Sequence, residues 1–341
     1  MHAYGFIANI LLFVIAAGLI GYFGVKMTYV ARQLAQETGM GEAVMGAVFI
    51  GASTSLSGIT ASITAAAQGH AELAVSNSLG GIAAQTLFLA VADMFYRKAN
   101  LEHAAASAEN LMMSAFLIVM LAIPLLAIAI PDISLLAVHP ASIITLLAYG
   151  FGIHILTRTH KMPMWYPKRT RDTRLEKEAP GSRKRRFSPS LWLQFLICSV
   201  VVAVAGWFLA SSGIIIAEHT GLSQGIVGGV FIAISTSLPE LVIAVSAVRM
   251  GALTLAVGDI IGGNAFDTLF ISMSDIAYRE GSIYLDITRN EIFWLAMAIL
   301  MTGVLLMGLL HRERHGIANI GMESFLVIVL YLSGLGVLLY I

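Results

Sequence analysis

Glu240 and Asp267 are two carboxylates set inside long apolar runs. The chain turns back between them near residue 253, so each lies about 13 residues, or roughly 20 Å of helix, from the turn. Both therefore reach one depth. A charge at the centre of a bilayer costs about 2.5–3.5 kcal/mol even on the lenient insertion scale, so two at one level point to a bound cation rather than to packing. Thr236 and Ser237 precede Glu240 by four and three positions and share its helix face. Pro239 removes a backbone donor and frees carbonyl oxygens of the preceding turn. Hard cations take oxygen ligands, and this stretch supplies carboxylate, hydroxyl and carbonyl together. Gly263, four positions before Asp267, lets a facing backbone come close. Around a turn near residue 71, Thr54, Ser55, Gly58 and Gln85 form a matching set with no formal charge.

The elements that must carry these residues are membrane spans. Of 341 residues, 58% are hydrophobic and 12% charged, and the net charge is zero. Such a chain takes the bilayer as its solvent and is not expected to bind nucleic acid. Runs of about 20 apolar residues fall near 5–27, 43–66, 71–96, 110–130, 134–157, 190–217, 224–248, 253–278, 290–310 and 321–341, which predicts ten helices. The first run has no basic segment before it and no cleavage site, so it is read as a retained helix. With the N-terminus outside, 18 of the 20 lysines and arginines fall in inner connections. Only Arg279 and Arg289 lie outside, and the C-terminus is expected outside too.

The basic segment 158–189 divides a first half, 1–157, from a second, 190–341. Its basic residues read mainly as the topology signal, with contact to anionic lipid headgroups as the functional alternative. Sliding the chain against itself by 182 positions aligns 46–97 with 228–279 without a gap, and 22 of the 52 pairs are identical. About five would be expected by chance. An odd number of spans per half inserts the second half upside down, and inverted repeats of this kind are a transporter signature with the site at the midplane.

Ser-Thr-Ser-Leu-Pro-Glu at 235–240, followed by Val-Gly-Asp-Ile-Ile-Gly-Gly-Asn-Ala-Phe-Asp at 257–267, resembles the α-repeat of the sodium/calcium exchanger, or cation/calcium antiporter, superfamily. The resemblance implies an all-α integral membrane protein of ten helices in an inverted 5 + 5 plan. It makes Thr236, Ser237, Glu240 and Asp267 ion ligands, with Thr54 and Ser55 as counterparts. The helix pair near 5–27 and 190–217 would slide over the four repeat helices. Ser57-Gly58 stands where the family has Pro-Glu, Gln85 where it has Asn or Asp, and Gly81 and Gly263 where it has serines. Asp259 stands where an Asn is common. Two formal charges remain at the centre.

Asp93 with Arg97, and Asp275 with Arg279, have the spacing of helix-end ion pairs. Asp259, Asp267 and Asp275 recur every eight residues along one helix, with the outer two read as residues near water. His70, His154 and His219 show no metal-ligand spacing, and Cys198 is the single cysteine. Hydrolase signatures fail, and Ala256 breaks the Gly-x-Gly-Asp pattern of an intramembrane aspartyl protease. The expected function is therefore secondary active cation antiport in the cell (inner) membrane. It involves no enzymatic step and no prosthetic cofactor, and the transported cations are calcium, sodium or protons. A cation/proton antiporter, a passive channel and a non-transporting ion-binding protein are the alternatives.

Overall fold

The computed structural model describes residues 5–38, 51–96, 99–105, 107–161, 165–166, 168, 170, 173, 188–314, 316 and 320–340. The first half runs through α1 (Phe6–Thr38), α2 (Gly51–Thr54), α3 (Leu56–Ala67), α4 (Ala71–Asp93), α5 (Leu101–Ala104), α6 (Ala108–Ala129) and α7 (Pro140–Lys161). The second opens with α8 (Pro189–Thr220), α9 (Gln224–Ile226), a π-helical stretch (Val227–Ile232) and α10 (Ala233–Thr236). It continues through α11 (Leu238–Met250), α12 (Leu253–Asp267), α13 (Leu269–Ala277), a 3-10 turn (Ile283–Leu285), α14 (Arg289–His311) and α15 (Met322–Tyr340). Among the described residues, α1, α4, α6, α8, α14 and α15 are each long and apolar enough to cross a membrane. The stretch from α9 to α10 meets α11 at a 46° bend, and the two together are also long and apolar enough. The chain is an all-α, multi-pass membrane protein.

Three of the apolar runs are not single helices. The run near 224–248 breaks at Ser237 and the run near 253–278 at Thr268. The run near 43–66 breaks at Ser55, its first residues lying outside those described. Apolar composition continues across each break, so length alone could not reveal it. Pro140 and Pro239, expected inside spans, sit in the first turns of α7 and α11, where a missing N–H costs nothing. Pro124 does lie within α6.

Helices α1 and α8 lie against each other at the rim. Leu11, Val14 and Ile15 on one, and Leu196, Val200 and Val204 on the other, are exposed. In hydrocarbon such side chains cost nothing. Helix α4 is buried nearly all round and forms the centre. Each rim helix also crosses the broken helix of the opposite half. A Cβ on Gly24 of α1 would lie 2.5 Å from Pro239 Cγ, and one on Gly206 of α8 would lie 2.7 Å from the Ser57 carbonyl oxygen. Gly24 and Gly206 are 182 positions apart, as are Ser57 and Pro239. The relation between the halves thus reaches beyond 46–97, and its contacts are exchanged between them. The two repeat hairpins turn on matched glycines, Gly69 and Gly251, at φ +82° and +80°, a conformation that other residues adopt at a steric cost.

The ion-pair expectation for Asp275 is corrected. Its carboxylate accepts the N–H of Ile283 (2.9 Å) and His139 (2.8 Å) and the hydroxyls of Ser142 (2.7 Å) and Ser282 (3.2 Å), while Arg279 is exposed. Asp93 likewise accepts the N–H of Leu101 (2.8 Å) and Gly321 (3.0 Å). Arg97 lies outside the described residues. Neutral donors satisfy a buried carboxylate without the cost of dehydrating a guanidinium.

Candidate cation site

The breaks at Ser55 and Ser237 have nearly the same backbone, φ −82°, ψ 0° and φ −95°, ψ 7°. Thr54 and Ser55 stand at the first break, and Thr236 and Ser237 at the second. Helices α4 and α12 cross between the breaks and bring Gln85 and Asp267 together: Gln85 Nε2 donates to Asp267 Oδ2 at 2.6 Å. Ser55 Oγ donates to Asp267 Oδ1 at 2.6 Å, and Gln85 Nε2 also reaches Ser237 Oγ at 3.3 Å. The two serines are equivalent under the repeat, as are Gln85 and Asp267. The centre is therefore a near-symmetric square of side chains with its formal charge on one side.

Glu240 sits in the first turn of α11, 4% exposed, and Thr54 donates a hydrogen bond to it. Its Oε2 is buried without a hydrogen-bond partner, as are Gln85 Oε1 and Asn264 Oδ1. The charges of Asp267 and Asp259 both act on it. Asp259, half-buried, is thus the outlying acid nearest in effect to the site, whereas Asp275 serves as a structural acceptor.

Gly81 and Gly263 make the crossing possible. A Cβ at Gly263 would lie 3.3 Å from Gln85 Oε1, and one at Gly81 would lie 3.8 Å from both Asp267 Oδ2 and Ser237 Oγ. Thr236 is less free than its position suggested. Its hydroxyl donates back to the carbonyls of Ile232 (3.0 Å) and Ala233 (3.1 Å), while its own carbonyl accepts from Ser57 Oγ at 3.2 Å. At Gly58 the space is taken: a Cβ there would lie 2.6 Å from Phe270 Cε2. The ring stands where a first-half carboxylate would have to begin.

All nine residues singled out by sequence fall in this region, but the reading missed several that complete it. Asn264 donates to Thr86 Oγ1 at 3.0 Å, and Ser78 Oγ donates to the Asp267 carbonyl at 2.7 Å. Asn77 donates to the Gly58 carbonyl (3.1 Å) and to Ser62 Oγ (2.8 Å). Asn77 aligns with Asp259, and Asn264 stands three positions before Asp267, so both signals were present in the repeat. Among the described residues no group of three or more His, Cys, Asp or Glu could hold a metal ion. The set offers two carboxylates with hydroxyl, amide and carbonyl oxygens, donors suited to a hard cation passing through.

An all-α membrane protein with two related halves and a polar site between their broken helices has the build of a secondary transporter. The family model for the sodium/calcium exchanger protein matches residues 8–158 and 190–340, and the chain belongs to that family. It is 36% identical over 93 residues to the sodium/calcium exchanger MaX1 of Methanosarcina acetivorans, a stretch covering 27% of this chain and 26% of that protein. The solved sodium-calcium exchanger NCX_Mj superposes with a TM-score of 0.62 at 16% identity, covering 97% of this chain and 99% of that one. The H+/Ca2+ exchanger CAX superposes with a TM-score of 0.70 at 12% identity, covering 97% and 84%.

Proposed function

We propose that the protein is a secondary active cation antiporter that carries its cation between Glu240 and Asp267, with oxygens from Thr54, Ser55, Thr236, Ser237 and Gln85 completing the shell. Gly263 acts by leaving room for the Gln85 side chain, and Gly58 by leaving room for the Phe270 ring. The observation that carries this reading is the unpartnered Oε2 of buried Glu240, beside an Asp267 whose oxygens are already held by the opposite half. A buried carboxylate oxygen left unpaired is costly, and a cation ends that cost.

Ten spans in an inverted 5 + 5 plan, with the 158–189 connection cytoplasmic and both termini outside, fit this mechanism. Alternating access arises from α1 and α8 sliding where Gly24 and Gly206 press on the broken helices.

Two carboxylates in a low-dielectric site cannot stay ionised and empty at small cost, so each step neutralises them with one divalent cation, two monovalent cations or two protons. Exchange between such states moves no net charge. Cation flux into vesicles, with sodium and proton gradients imposed separately and the membrane potential clamped, tests this. The expected result is saturable, counter-ion-driven flux that responds little to voltage. Non-saturating flux would indicate a channel, and steep voltage dependence would overturn the two-charge cycle.

A further inference from the structure

The carboxylates Asp93 and Asp275 are equivalent pins. Under the shift of 182, Leu101 corresponds to Ile283, Gly321 to His139 and Ser324 to Ser142. The matched backbone N–H groups bind the matched carboxylates, and Ser324 lies beside Asp93 as Ser142 does beside Asp275. Each pin fastens the last helix of the opposite half. At the Asp275 end the surroundings are neutral: Tyr284 reaches Ser142 Oγ at 3.3 Å, and Ala141 stands beside it in sequence. At the Asp93 end the corresponding residues are Glu102 and Glu323. The fold makes the same pin without them, so pinning does not account for these two acids.

Their carboxyls are buried, 1% and 4% exposed. Glu102 Oε1 accepts from Ser324 Oγ at 3.1 Å, but Glu102 Oε2 and Glu323 Oε1 have no hydrogen-bond partner. These two oxygens converge. A Cβ on Gly321 would lie 2.7 Å from Glu323 Oε1 and 3.0 Å from Glu102 Oε2, and one on Gly308 would lie 2.6 Å from Glu323 Cδ. Two glycines thus clear the space in which the carboxyls face each other.

We propose that Glu102 and Glu323 form a proton-binding site outside the transport path, whose occupancy sets how firmly α15 docks at this end. A shared proton is the smallest occupant that satisfies both oxygens, and like charges so close cannot both ionise at small cost. No third ligand completes a metal site among the described residues. The neighbouring charged and titratable groups are Asp93 on α4, His103 on α5, and Arg312, Glu313 and Arg314 after α14. Arg312 donates to the carbonyls of Lys168 and His103 and to Thr173 Oγ1, and His103 contacts Thr170 and the Arg312 carbonyl. Arg312 and His103 bond each other and the basic connection, while the charges of Asp93 and Glu313 act on the acid pair.

Burial, and then the charges of Asp93 and Glu323, push the Glu102 carboxyl well above its ordinary range. A raised carboxyl favours the docked state while protonated, and that contribution is lost as pH rises through the raised range. Asp93 lies eight residues, about 12 Å of helix, beyond Gln85 on α4. Loosening this end therefore acts on the helix that lines the transport site.

The test uses the full chain in proteoliposomes, with pH set separately on each side. The wild type is expected to show a half-saturating cation concentration that depends on pH at the side of the 158–189 connection, by up to about tenfold per pH unit for one linked proton. Glu102→Tyr with Glu323→Ala installs the residues of the opposite end and should transport with a clearly weaker dependence, the remainder belonging to protons that compete at Glu240 and Asp267. A double variant that transports with the wild-type pH response overturns the proposal. So does a wild-type response to metal ions alone on that side. Infrared spectroscopy supplies a readout free of transport: near neutral pH the wild type should show a carboxylic-acid carbonyl band that is absent in folded Glu102→Gln. Identical spectra would overturn the proton assignment even if antiport itself were absent.

Discussion

The helix breaks at Ser55 and Ser237 have the same shape and different chemistry. Pro239 and Glu240 follow the second break, whereas Ser57 and Gly58 follow the first, yet φ and ψ differ by less than 15°. Proline is therefore not what breaks the helix. Contacts made across the halves are common to both breaks, including Ser55 with Asp267 and Ser57 with the Thr236 carbonyl. The broken backbone is common to both halves, whereas the carboxylates Glu240 and Asp267 stand in one. Helices α4 and α12 repeat the contrast: α4 runs unbroken through Thr86, while its counterpart stops at Asp267 and resumes after Thr268.

The largest effect should come from removing that charge. Glu240→Gln or Asp267→Asn should lower cation flux about a hundredfold or more while abundance in the membrane stays normal, since two of the site's charges become one. Near-normal flux in either would break the comparison at its root. Next is an attempt to make the halves alike. Gly58→Glu alone must displace the Phe270 ring, and overpacking costs about 1–3 kcal/mol, so its melting temperature in detergent should fall. Combined with Phe270→Ala the new carboxylate has room, and exchange should become voltage-dependent or change its ion preference. A single Gly58→Glu variant as stable as the wild type would show that the ring does not fill that space.

A position where the halves agree sharpens the contrast. Asp275→Asn turns an amide NH2 towards a backbone N–H whichever way it faces, His139 on one side or Ile283 on the other, and should cost about 1–3 kcal/mol of stability. Thermal unfolding would read this, with the half-saturating ion concentration little changed. The smallest effect is expected from Thr236→Val. The Thr236 hydroxyl is already spent on Ile232 and Ala233, so the half-saturating ion concentration should rise only a few-fold. A loss as large as that of Glu240→Gln would make Thr236 a principal ligand.

Much of this was legible in the amino-acid sequence because lipid imposes a simple code: apolar runs of spanning length, basic connections and isolated acids. Self-alignment exposed the paired Thr-Ser hydroxyls and the unpaired Glu240. What could not be read depends on distant contacts. Phe270 meets Gly58 across 212 positions, and no local pattern announces it. The i, i+4 spacing of Asp275 and Arg279 suggested an ion pair, but His139 and Ser142 arrive from another span to take that carboxylate. The breaks at Ser55, Ser237 and Thr268 lie inside uninterrupted apolar sequence, where composition is silent about backbone direction.

The exchanged pins also bear on how the chain is made. Asp93 emerges from the ribosome long before Gly321, its partner 228 positions later. At about 5–20 residues per second that is a delay of roughly ten to forty-five seconds. Throughout it, an acid-bearing helix sits in the membrane without the N–H that will finally hold it. The first half cannot finish this pin alone, since one of its donors belongs to the other half. Completing this pin thus waits on synthesis of the second half, and a chain stopped before Gly321 would leave one side of the Asp93 carboxylate unfilled.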